Sequence, residues 1–197
     1  MGTAVEHIKN DHGYIMKSLV VLQNIFMGTK PSVIIDKTDL SECIKFNTVF
    51  TCMCHNGKED TILFKNLMDK GAAIIGNEIK ALSVEHQACC KYIKRLQDLF
   101  PYNTYELISP RFITSIVGYI NHVESHIKKE NGALFTIIDH YLSGPEQEMV
   151  CAKFNEYEKY INESCSIKEI KSNMDYLSSK YATTKYNENF PCGYEGI

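Results

Sequence analysis

The feature of this sequence that most restricts its fold is a pair of segments that occurs twice. The first segment reads DHGYIMKSLVVLQNIF from Asp11 and returns as EHQACCKYIKRLQDLF from Glu85. Aligned on His12 and His86, the copies share an acid just before the histidine and a Lys five residues on. They also share Leu-Gln at ten and eleven and Phe at fourteen. The second segment reads HNGKEDTILF from His55 and returns as HIKKENGALF from His126, with Lys at three, Glu at four and Leu-Phe at eight and nine. His12 and His55 lie 43 residues apart, His86 and His126 lie 40 apart. Repetition at this period marks one supersecondary unit used twice, each copy burying a face that it cannot bury alone.

The unit is a pair of helices. Apolar groups recur at Ile8, Ile15, Met16, Leu19, Leu22 and Phe26, a stripe at helical spacing over residues 4–27. The segment GTKPSVIIDKTD, with Gly28 and Pro31, breaks the pattern. Further helices are expected at about 40–70, closed by Gly71; at about 73–100, stopped by Pro101; and from Pro110 to about 142, before Gly144-Pro145. Residues 146–160 and 167–181 read as two shorter, more polar helices, and 183–197 as a loose tail without periodicity. The expected fold is all-α: an up-down-up-down four-helix bundle over residues 1–145, a helical extension over 146–182 packed on it, and the tail.

Composition narrows the function classes. A chain of 197 residues with net charge −3 and a pI near 6.2 has no bulk-charge basis for binding nucleic acid or an anionic membrane. No apolar run approaches the ~18 residues that span a bilayer. The N-terminus lacks the apolar core of a secretory signal, and Glu6 stands where a myristoylation motif has Ser or Thr. The expected location is cytoplasmic. The eight cysteines are scattered (Cys43, Cys52, Cys54, Cys89, Cys90, Cys151, Cys165, Cys192) with no C-x-x-C, so they read as reduced, small buried hydrophobes rather than a zinc framework. Cys52 and Cys89 each fall three residues from a repeated histidine, which places them near the site, with packing or a redox role open to them.

Positions i and i+4 share a helix face, so His55 points with Glu59 and His126 with Glu130. The apolar offsets around His12 and His86, with Leu63 and Leu134 four residues beyond the glutamates, turn all six residues toward the core. Two buried carboxylates without partners are very costly, and cations between them remove that cost. Imidazole with carboxylate suits iron, manganese or zinc. The pattern is that of a carboxylate-bridged dimetal centre in a bundle core, with His12, His55, Glu59, His86, His126 and Glu130 as ligands. His122, one turn before His126, is a further ligand or a second-layer partner, and Gln23, Gln97 and Thr51 are candidate acceptors for the outer imidazole N–H groups. His7, His140, Asp11 and Glu85 read as boundary or solvated positions.

These residues resemble the hemerythrin-like (HHE cation-binding) family, whose pattern is His on the first helix, His-x-x-x-Glu on the second, Glu-His on the third and His-x-x-x-Glu on the fourth. The match runs from about residue 4 to 142: His12, His55 with Glu59, Glu85-His86, and His126 with Glu130. The resemblance implies two iron ions, bridged by Glu59, Glu130 and an oxo or hydroxo ligand, that bind or sense O2 or a related small ligand. The family's oxygen carriers have two histidines one turn apart on the third helix, whereas Leu82 stands one turn before His86 here, leaving four clear histidines. The alternative is a di-iron enzyme acting on peroxide or nitric oxide, or an iron donor for iron–sulfur repair, with an unidentified electron donor. A Cys-containing leader and a fused output domain, expected for repair proteins and sensors, are not apparent in the sequence. A stand-alone metal- and O2-binding protein is therefore favoured over a dedicated enzyme.

Overall fold

The computed structural model describes residues 3–27, 36–71, 76–100 and 108–182. The described residues form six helices and no strand. Helix α1 is Ala4–Met27. Helix α2 runs over 37–69 and changes character along its length. It is α-helical over Lys37–Phe46, widens to π-helical turns over Asn47–His55, and widens again over Glu59–Leu63 before ending as Phe64–Asp69. Helix α3 is Gly76–Asp98. Helix α4 runs over 110–141, with Pro110–Lys129 and Phe135–Tyr141 flanking a wide turn at Glu130–Leu134. Helices α5 (Gly144–Asn162) and α6 (Ile167–Lys180) follow. The expected tail over 183–197 lies outside the described residues.

Side-chain caps fix several ends. Asp36 accepts from the backbone N–H groups of Thr38 and Asp39, so α2 starts at Lys37, a turn earlier than periodicity suggests. Ser109 caps α4 with Pro110 in its first turn. Ser143 and Glu146 form a capping box that starts α5, so Gly144-Pro145 opens a helix as well as following one. Proline is well placed there, because the first turn needs no donated N–H.

The core is two apolar clusters. One gathers Ile15, Leu19, Leu22, Phe46, Phe50, Cys89, Ile93, Tyr119 and Val123 with Ile170 and Met174 of α6. The other gathers Ile8, Leu63, Phe64, Leu82, Leu134 and Phe135 with Val150 and Phe154 of α5. Each bundle helix crosses from one cluster to the other at its repeated polar residues. In α1, Ile8 and Ile15 flank His12; in α3, Leu82 and Cys89 flank His86. In α2, Cys54 and Leu63 bracket His55 and Glu59, and in α4, Val123 and Leu134 bracket His126 and Glu130. The six residues thus form one polar layer between two apolar ones. Helices α5 and α6 pack on α1 and α2.

Candidate metal centre

The four histidines are between 1% and 5% exposed, and both glutamates are fully buried. Each histidine turns Nε2 inward. His12 Nε2 lies 3.1 Å from Glu130 Oε2, and His126 Nε2 lies 3.2 Å from Glu130 Oε1. His55 and His86 place Nε2 at 3.4 and 3.2 Å from Glu59 Oε2, and His86 Nε2 is also 3.7 Å from Glu130 Oε1. These atoms are close, yet the four Nε2 atoms and all four carboxylate oxygens make no properly directed hydrogen bond. Two donor groups result, each with its ligating atoms within 4.8 Å of one another: His12, His55, Glu59 and Glu130; and Glu59, His86, His126 and Glu130. Both carboxylates belong to both groups.

The local backbone helps to set this. Wide turns begin at both glutamates, with Phe64 N–H bonding to Glu59 O and Phe135 N–H to Glu130 O, five residues back in each case. Single wide turns of this kind often mark functional sites, and here the duplicated sequence places one at the same residue of each copy.

A second layer follows the same repeat. His55 Nδ1 faces Asp11 at 3.7 Å, and His126 Nδ1 donates to Glu85 at 2.9 Å. Asp11 and Glu85 are the acids just before the first histidine of each copy. Both also pair with the repeated lysine: Lys58 Nζ lies 2.5 Å from Asp11, and Lys129 bonds to Glu85. His86 Nδ1 lies 3.0 Å from Asp60, and His12 Nδ1 lies 3.1 Å from Asn131 Oδ1. Asp60 and Asn131 are the residues just after the two glutamates. Every imidazole therefore presents Nε2 to the centre and turns Nδ1 toward a polar group on the adjoining helix. His12 and His126 hydrogen-bond there, whereas His55 Nδ1 and His86 Nδ1 only face their carboxylates. Outer partners of this kind fix tautomer and orientation in metal-ligating histidines.

This layer corrects the sequence reading. Asp11 is 1% exposed rather than solvated, and Glu85 is half-buried. The expected outer acceptors turn elsewhere. Thr51 donates to Asn47 Oδ1, and the Gln97 amide donates to Thr48. Gln23 is buried on α1, eleven residues beyond His12. His122 bonds through Nε2 to the Glu85 backbone carbonyl at 2.9 Å and belongs to neither donor group. His7 is not an ordinary boundary residue. It joins Asp11 and Glu158 around Lys58 Nζ, at 3.0 Å from His7 Nε2 and 2.6 Å from Glu158. The lysine ammonium fills the centre of that third His–carboxylate group, so it already contains its cation.

Electrostatics report a deficit of positive charge in the central layer. Burial would depress His86, but Asp60, Glu130 and Glu59 push it up to about 12. His12 and His126 are also raised against burial, mainly by Glu130. Burial would raise Glu130, yet His12, His126 and His86 hold it well below the usual carboxylate range. Six convergent donors, undirected toward one another and flanked by apolar layers, fit cations placed among them.

A helical bundle carrying this centre is a metal-binding protein. Residues 3–138 match the family model for the hemerythrin HHE cation-binding domain, more than half of the chain, and the protein belongs to that family. No curated protein and no solved structure matches it.

Proposed function

We propose that the chain is a non-haem di-iron protein that binds or senses dioxygen or a related small ligand, nitric oxide or peroxide included, in the bundle core. The observation that carries this reading is the pair of overlapping donor groups sharing Glu59 and Glu130. Iron in such a centre supplies reversible redox chemistry toward small diatomic ligands. Glu59 and Glu130 would bridge the two ions, with His12 and His55 on one side and His86 and His126 on the other. Four histidines and two carboxylates are fewer donors than two six-coordinate ions take, so room for an exogenous ligand remains. The apolar residues on both sides, Ile15 and Phe50 in one cluster and Phe64 and Phe135 in the other, exclude bulk water.

Metal analysis of the purified chain tests the stoichiometry, with two irons per chain expected. Glu59→Ala and Glu130→Ala should each abolish stable two-metal occupancy; retention of both ions in either variant contradicts the bridging assignment. For the ligand, reduced protein should develop a visible absorption band that appears and disappears with oxygen pressure. Immediate one-way oxidation, with turnover of added peroxide, would instead identify an enzyme.

A further inference from the structure

Three thiols stand beside the metal layer and take no part in it. Cys52, in the first wide stretch of α2, and Cys89, on α3, bring their sulfurs to 4.0 Å, the contact distance of two unbonded sulfurs. Cys90 adjoins them. Cys89 is buried, whereas Cys52 and Cys90 are half-buried and reachable by a small solute. The repeat shows what packing alone requires at these positions. The counterparts of Cys89, Cys90 and Cys52 in the other copies are Ile15, Met16 and Val123, the first and last in the apolar cluster and Met16 packed against it. Apolar side chains fill the equivalent corner, so packing does not demand sulfur. A thiol pair has instead been placed across α2 and α3, three residues from His55 on one helix and three from His86 on the other.

We propose that Cys52 and Cys89 form a redox-active dithiol whose oxidising substrate is a hydroperoxide. In the first step a thiolate of the pair attacks one peroxide oxygen, the O–O bond breaks, and the other oxygen leaves as hydroxide or the corresponding alkoxide. The sulfur is now a sulfenic acid, oxidised by two electrons while the peroxide is reduced by two. The second sulfur then displaces the sulfenic oxygen, which leaves as water with the second thiol's proton, and a disulfide joins α2 to α3. Closing the bond takes the two sulfurs from contact at 4.0 Å to the ~2.0 Å of a disulfide. A dithiol reductant reverses the reaction by exchange.

The test uses the full chain with zinc added, because zinc does not change oxidation state; it therefore reads the thiols whatever the fate of the iron assignment. One equivalent of hydrogen peroxide should lower the count of titratable thiols in the denatured chain from eight to six. Proteolysis without reductant should then yield the peptide pair joining Cys52 to Cys89, and dithiothreitol should restore all eight. Cys52→Val and Cys89→Ile, which copy the other half of the repeat, should each fold, keep their zinc and show no loss of two thiols on the same peroxide treatment. An unchanged count, oxidation to sulfinic acid without a disulfide, a disulfide at other positions, or the same loss of two thiols in Cys52→Val would each overturn the proposal.

Discussion

Asp11 and Glu85 have the same task in different surroundings. Each faces the histidine of the following helix, Glu85 accepting from His126 and Asp11 lying 3.7 Å from His55, and each is balanced by the lysine three residues beyond that histidine. The first pair is buried, Lys58 being fully covered, whereas the Lys129 side chain is 55% exposed. Burial would raise Asp11, but His55 and Lys58 hold it well below the usual range. Removing one partner of a buried pair strands the other, so Lys58→Ala should cost about 3–5 kcal/mol in urea unfolding. Lys129→Ala, at a solvated pair, should cost less than about 1 kcal/mol. Asp60→Ala removes the acceptor facing His86 and should weaken metal affinity roughly 10–100-fold in chelator competition. The six inner residues are legible in the sequence because histidine and glutamate one turn apart interrupt apolar stripes in both copies. The outer acceptors are harder to read. Asp11, Glu85, Asp60 and Asn131 lie ~100° round the helix from the inner residues, where a single helix looks solvated and only the neighbouring helix supplies a partner. The signal available was the repeated acid before the histidine and the repeated lysine.

At the scale of elements, periodicity locates the helices but not their caps or their wide turns. Asp36 and Ser143 start helices through side-chain bonds that an apolar stripe does not encode. The turns at Glu59 and Glu130 each leave the flanking helix continuous, so the apolar pattern passes through them unbroken. Docking of α5 rests on a position inside the repeat. A Cβ at Gly57 would lie 2.3 Å from the Tyr157 hydroxyl, and that hydroxyl donates to the Met53 carbonyl at 3.2 Å. Gly57→Ala should therefore push Tyr157 outward at a cost of about 1–3 kcal/mol, seen as faster amide exchange over residues 144–162 with metal content retained. Glu158 adds a pH dependence to the same contact. Burial opposes its ionisation, but His7 and Lys58 lower it to about 2 from an ordinary 4.5. A carboxylate depressed on folding gives stability that is complete above its unfolded pKa and is lost as pH falls through the folded one. The α5 contact should accordingly weaken between pH 4.5 and 2 in the wild type, and Glu158→Gln should remove that component of the acid transition.

For the molecule as a whole, the central layer makes folding and metal content one problem. Without cations, Glu59 and Glu130 lie buried among imidazoles, and Glu130 holds His12 and His126 above the ordinary imidazole range. His86 is raised in the same way by Asp60, Glu130 and Glu59, which favours its protonated form when no metal is bound. Chelation at pH 7 should therefore be accompanied by proton uptake, measurable in weakly buffered solution, and metal affinity should fall as pH falls. Loss of the ions should also lower stability, by about 2.7 kcal/mol for each ion held at 100 times its dissociation constant.

The C-terminal helices lie over α1 and α2, burying the Asp11–Lys58 pair, while Glu85 and Lys129 on the other half meet solvent. The two halves of the duplicated chain therefore differ in the cover over their outer acid–lysine pairs, one closed by α5 and α6 and the other in contact with solvent. With the two ions proposed above, exchange should be sequential: in stopped-flow chelation, an ion held by His86 and His126 should leave first, and one held by His12 and His55 should follow in a slower phase. Covering one copy of a symmetric unit would turn the two proposed positions into an ordered queue.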